Sequence, residues 1–245
     1  MTRHLVIPDA QCKPGVPLEH LEWAGKFIRD KRPDVIVNIG DFADMESLGA
    51  YDVGKKTFEG RRYKKDIEAA ERGMALLMAP FNRIKGYKPR LICTLGNHED
   101  RISRAVEADP KLEGVLSLDD LPYKRHGWQV VPYLEVIMVD GIAYSHFFQS
   151  GVMGRPVTSA SALLSKKHQS CVQGHVQGRQ IAYATRADGK QLTGLFVGSF
   201  YQHDEDYLHW QGNKNWRGLW VLNEVDDGAF DEMPVSMSYL KRKYG

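Results

Sequence analysis

The sequence predicts a layered α/β (α+β) sandwich, on three observations. In the first half, short β-type runs alternate with longer helical patterns, the rhythm of parallel strands joined by helical crossovers. In the second half, β-type runs follow one another through turns such as Asp140-Gly141 and Asp188-Gly189, a hairpin signature. Polar residues with metal-ligating chemistry stand directly after several apolar runs, where open α/β sheets build their sites.

Taken in order, apolar runs at 5–8, 35–39 and 91–95 read as strands, with helices over 18–29 and 61–84 between them. Met74, Leu77, Met78 and Phe81 recur at helical spacing and form a core-facing stripe. Further strands read at 129–132, 134–139, 142–146, 170–175, 180–185, 192–199 and 218–224, interrupted by one helix near 158–167. Parallel and antiparallel pairings covered by helices make a layered sandwich. Lys241-Arg242-Lys243 reads as a solvated tail. With no repeat and no linker between halves of different composition, one domain over 1–245 is expected.

Hydrophobic residues make up 42% and charged residues 26%, which excludes a disordered chain. The net charge is +2, so a polyanion site has to arise from local clustering. Cys12, Cys93 and Cys171 are odd in number and widely spaced, which argues against a disulfide framework or a zinc knuckle and for a reducing compartment. The apolar stretch at the N-terminus is too short for a signal-peptide core, and no run suits a membrane span. The expectation is a cytoplasmic protein with no membrane partner.

Five polar clusters follow strand-like runs: Asp9-Ala10-Gln11, Gly40-Asp41, Gly96-Asn97-His98-Glu99, Ser145-His146 and Gly174-His175-Val176-Gln177. Any one of them suits an ordinary turn; the ordered series by chance is improbable. The series resembles the calcineurin-like metallophosphoesterases, whose pattern runs DxH, GD, GNH(D/E), H and GHxH, and the resemblance spans 9–177. It implies a four-layer sandwich of two mixed β-sheets flanked by helices. It also implies that Asp41 bridges two metal ions, that Asp9, Gln11 and Gln177 surround the first, and that Asn97, His146 and His175 complete the second. His98 would act on the leaving group, with Asp41 as the other catalytic residue, and Glu99 would orient the loop.

Two positions depart from the pattern. Gln11 and Gln177 stand where the family has histidines, and both belong to the first ion. Amide oxygens make that site hard and weak, which favours Mn2+, with Mg2+ or another transition metal as alternatives. A dinuclear enzyme, a one-metal enzyme and an inactive relative all remain open.

Residues 55–65 carry six basic side chains against one acidic, interleaved with Phe58 and Tyr63. Arg61, Arg62 and Lys64 are the candidate substrate contacts, since cations neutralise phosphates while aromatics stack on bases. A solvated loop has the same composition. The stretch 201–216 mixes Tyr207, Trp210 and Trp216 with His203 and His209, and reads either as a lid or as packing against the sheet. His203 is either an extra ligand or part of a solvated acidic turn. The function expected is a metal-dependent phosphoesterase, acting as a phosphodiesterase or nuclease on DNA. The alternatives are a phosphomonoesterase for small molecules or phosphoprotein, and a non-catalytic metal-binding module.

Overall fold

The computed structural model describes residues 1–50, 53–205 and 208–245. The chain runs β1 (Thr2–Ile7), α1 (Glu19–Lys31), β2 (Val35–Asn38), α2 (Tyr63–Met78), β3 (Arg90–Thr94), α3 (Arg101–Ala108), β4 (Gln129–Val131), β5 (Ile137–Val139) and β6 (Ile142–Ser145). It continues through the small hairpin β7 (Gln149–Ser150) and β8 (Arg155–Pro156) to α4 (Ala160–Lys167), β9 (Cys171–Gln173), β10 (Arg179–Thr185) and β11 (Gln191–Val197). The last elements are α5 (His209–Gly212), β12 (Gly218–Asp226), β13 (Ala229–Ser236) and α6 (Met237–Tyr244).

Two mixed sheets result. The first has the order β13-β12-β1-β2-β3-β4, with β1 to β4 parallel and β12 and β13 added antiparallel. The second has the order β10-β11-β9-β6-β5. Because alternate strand residues face opposite ways, β1 sends Leu5 and Ile7 to one side and Val6 to the other. Leu5 and Ile7 pack with Leu21 and Phe27 of α1, Met74 and Leu77 of α2 and Leu240 of α6. Val6 joins Val37, Ile92 and Leu222 against Tyr144, Val172 and Leu195 of the second sheet. Leu163 of α4 covers the far side of that sheet with Cys171 and Phe196. The layers are therefore helix, sheet, sheet, helix, as the sequence predicts.

The Asp140-Gly141 hairpin joins β5 to β6, with both turn residues at positive φ, the backbone such a two-residue turn requires. Several boundaries differ from expectation. Helix α2 starts at Tyr63 and ends at Met78, short of 84, since Pro80 comes just after its Ala79 cap. Strand β5 begins at Ile137, after Leu134 turns the chain through φ 67. Elements α3, β7, β8, α5, β13 and α6 lie outside the sequence expectation. The basic trio 241–243 is not a tail: it lies on α6, whose Leu240 and Tyr244 are buried and whose Tyr244 hydroxyl donates to Asp30 Oδ2 at 2.9 Å. Among the described residues, no helix is long and apolar enough to cross a membrane.

Candidate metal centre

Parallel strands put their C-terminal ends on the same side. Asp9 and Gln11 follow β1, Asp41 follows β2, Asn97 follows β3, His146 follows β6 and His175 follows β9. The turns that hold these side chains need specific backbone. Asp41 adopts φ 48, a conformation that short polar side chains tolerate. Gly40 precedes it at φ 97, and a Cβ there would sit 2.7 Å from His146 Nδ1.

Four donors converge. Asn97 Oδ1 lies 3.0 Å from His146 Nε2 and 2.8 Å from His175 Nδ1, while Asp41 Oδ2 lies 3.3 Å from His146 Nε2. One ligand atom each from Asp41, His146 and His175 falls within 4.8 Å of the others, a group able to hold a divalent cation. His146 donates from Nδ1 to the Ile39 carbonyl at 2.9 Å, which fixes the ring and leaves Nε2 for the centre. Burial lowers the His146 pKa, but Asp41, Asp9 and the Ile39 carbonyl together outweigh it and lift it to about 9. His175 is pushed down to about 4, by burial and then by His146.

The donor set for a first ion is less complete. Asp9 is fully buried; its Oδ1 accepts from His175 N at 3.4 Å, and its Oδ2 has no partner. Burial pushes its pKa up. Gln11, 1% exposed, has neither amide atom hydrogen-bonded. Unpaired buried polar atoms are costly, so Asp9 and Gln11 fit a cation that would satisfy them. Gln177 differs: its Oε1 accepts from the Tyr201 hydroxyl. Tyr201 in turn stacks on His203 at 4.7 Å and lies under the Arg217 guanidinium at 4.5 Å.

His98 lies at the rim. Its backbone N–H donates to Asp41 Oδ1 at 2.9 Å, and its Nε2 is 3.8 Å from Asp41 Oδ2. Its Nδ1 is 2.9 Å from Asp44 Oδ1, a close ion pair off the axis of a straight hydrogen bond. Burial lowers the His98 pKa, but Asp41 and then Asp44 outweigh it and leave the value raised. Asp44 is secured by Arg101, whose Nη1 donates to the Asp44 carbonyl at 2.7 Å, and by Lys13 at 3.4 Å. Asp44, Arg101 and Lys13 stand outside the sequence motifs, and only the position of Asp44, three residues beyond Asp41, marks any of them in the sequence.

The centre opens into a cleft of about 640 Å³. Lys55 and Arg61 line it, whereas Arg62 and Lys64 do not, being exposed elsewhere. Arg62 bends back to donate to the Arg61 carbonyl, and Lys64 faces outward on α2. The second segment reaches the same cleft through Glu205, Leu208 and Asn215. Within its acidic turn Glu205 is buried and bonds Lys13 at 2.7 Å and His203 at 2.6 Å, while Asp204 is exposed and Asp206 lies outside the described residues. Tyr207 lies outside the described residues, as does the side chain of His209.

No family model matches the chain, and neither does any curated protein. Among solved structures, it is similar to a conserved uncharacterized protein of Streptococcus pneumoniae TIGR4 described as a predicted phosphoesterase, at 11% identity over 97% of this chain and 90% of that one, with a TM-score of 0.40. Wild-type Vps29 of Entamoeba histolytica complexed with zinc matches at 11% identity over 96% of this chain and 99% of that one, with a TM-score of 0.41. A double mutant of that Vps29 matches at 11% identity over 96% and 98%, with a TM-score of 0.37. Likeness at this level carries no conclusion about chemistry. The chain's own layers and motif order are what resemble the calcineurin-like metallophosphoesterases.

Proposed function

We propose that this chain is a metal-dependent phosphoester hydrolase with a preference for diesters. The observation that carries the reading is the convergence of Asp41, Asn97, His146 and His175 beside a protonatable His98 at the head of a cleft. Asp41, Asn97, His146 and His175 would hold one divalent cation, and Asp9, Gln11 and Asp41 a second. When bound, such cations supply positive charge to phosphoryl oxygens and acidity to water.

The chain's own groups do the rest. Asp44 holds the His98 ring by its Nδ1, so the Nε2 proton is directed at the leaving oxygen. Burial raises the Asp44 pKa, but His98 first and then Lys13 and Arg101 outweigh it and keep the carboxylate ionised. Lys55 and Arg61 extend the cleft beyond the centre, which gives a second ester substituent a place to lie.

Turnover of an aryl phosphodiester and an aryl phosphomonoester, each titrated with manganese, magnesium and zinc, tests the reading. Diester turnover exceeding monoester turnover is expected, and His98→Ala should lower it by about 10²- to 10⁴-fold with metal still bound. Turnover of neither ester with any metal would overturn the enzyme reading in favour of a metal-binding module. A monoester preference would overturn the diester part.

A further inference from the structure

We infer that Glu205 is a positioning residue for His98, acting through Lys13 and Asp44. The inference rests on the phosphodiesterase reading and adds to it a group that keeps the proton donor in place. Asp44 meets the His98 ring with Oδ1, 2.9 Å from Nδ1, and turns Oδ2 to the Lys13 ammonium 3.4 Å away. Lys13 in turn meets Glu205 Oε1 at 2.7 Å. This chain of ionic contacts joins the loops that follow β3, β2, β1 and β11, and its four members all line the cleft.

The shorter contact decides where the ammonium sits. A lysine carries its charge on a flexible four-carbon stem, so the partner at 2.7 Å anchors Lys13 and the partner at 3.4 Å receives it as placed. Glu205 is well held for this task. Its backbone N–H donates to Asn213 Oδ1 at 2.8 Å, Asn213 Nδ2 donates to its carbonyl at 2.8 Å, and His203 Nε2 lies 2.6 Å from Oε1. The side chains of Lys13, Asp44 and Glu205 are only 8% to 14% exposed, and ions taken out of water in this way add little net stability, because desolvation offsets their attraction. The gain is geometric. With the Glu205 carboxylate removed, the Lys13 ammonium closes on Asp44 and draws it off the His98 ring, and a displacement of about 1 Å at a reacting group costs up to about 10²-fold in rate.

The test is steady-state turnover of methyl nitrophenyl phosphate and methyl phenyl phosphate, two diesters that differ in leaving group, with manganese saturating. Glu205→Ala should lower kcat for the phenyl ester by about 10- to 100-fold, with KM kept within about twofold. The loss should be smaller for the nitrophenyl ester, since a good leaving group needs less help from a proton donor. In a His98→Ala background, Glu205→Ala should cause no further loss, because residues that act as a unit are not additive. Glu205→Gln, which keeps the shape of the side chain, should show the same pattern at smaller size, and it decides the matter if the alanine variant does not fold. Equal losses with both esters, a further loss in the absence of His98, or a raised KM with kcat kept would each overturn the inference. If the unmodified protein hydrolyses the diesters and both Glu205 variants do so equally well, this inference fails and the phosphodiesterase reading stands. No turnover of either diester by the unmodified protein would overturn both.

Discussion

Glu99 Oε2 accepts a hydrogen bond from the backbone N–H of Asp41 at 3.0 Å, although the two residues belong to loops after different strands. The same carboxylate accepts from Gly96 N at 2.8 Å, Ala43 N at 3.0 Å and the Tyr123 hydroxyl at 2.7 Å. One fully buried side chain thus fixes the Asp41 turn in its left-handed conformation and ties it to the Asn97 loop. Glu99 closes the Gly96-Asn97-His98-Glu99 motif and acts on the centre through its neighbours.

Glu99→Gln should therefore disturb the centre indirectly. An amide puts a donor where an acceptor is needed, leaving at least one N–H unpaired, at a cost of about 2–4 kcal/mol. Urea unfolding should show that loss, and calorimetric titration should show weaker metal binding. Tyr123→Phe, which removes one bond to the carboxylate, should cost about 1.5–3 kcal/mol with metal binding largely kept. A Glu99→Gln protein as stable as the parent would refute the bracing role.

Gln11 allows a test with opposite signs. Its amide atoms are buried and unpaired, so Gln11→Met should stabilise the chelator-treated protein by about 1–3 kcal/mol. Added manganese should then raise the melting temperature of the variant less than that of the parent, because one oxygen donor is gone. A variant that melts lower than the parent in chelator, or gains as much from manganese, would remove Gln11 from the donor set.

Gly96 is required by close approach. A Cβ at this position would lie 2.1 Å from Asp41 Oδ1 and 2.5 Å from Asp41 N. Gly96→Ala should displace the Asp41 turn and weaken metal binding by at least about tenfold, the equivalent of 1.4 kcal/mol. Titration with manganese checks this; unchanged affinity would mean that the two loops separate at little cost.

His20 should set part of the acid limb of stability. Burial, followed by the nearby His203, pushes its pKa from 6.5 down to about 3. The unfolded chain binds the proton first, so the folded state is favoured above pH 6.5 and loses that advantage as pH falls from 6.5 toward 3. The slope is about 1.4 kcal/mol per pH unit for one proton. His20→Phe should flatten the fall in unfolding free energy measured between those limits. Parallel curves for variant and parent would show that His20 stays neutral in both states or ionises in both.

The layered architecture was legible because it rests on local pattern. The two-residue period of Leu5, Val6 and Ile7, the helical stripe at Met74 and Leu77, and the turn chemistry of Asp140-Gly141 are each set by neighbours in the chain. The motif residues were legible for the same reason, since each stands just past a strand end. Helix α6 was not, because its identity comes from Leu240 and Tyr244 docking on α1 and its sequence alone reads as a basic tail. Equally hidden were the pairing of Asp44 with His98, the diversion of Gln177 to Tyr201, and the choice of Arg61 over Arg62 and Lys64 at the cleft. Local sequence sets where a side chain leaves its own strand or helix. Which side chain it meets depends on how separate elements pack, and that is settled only when the sheets close on each other.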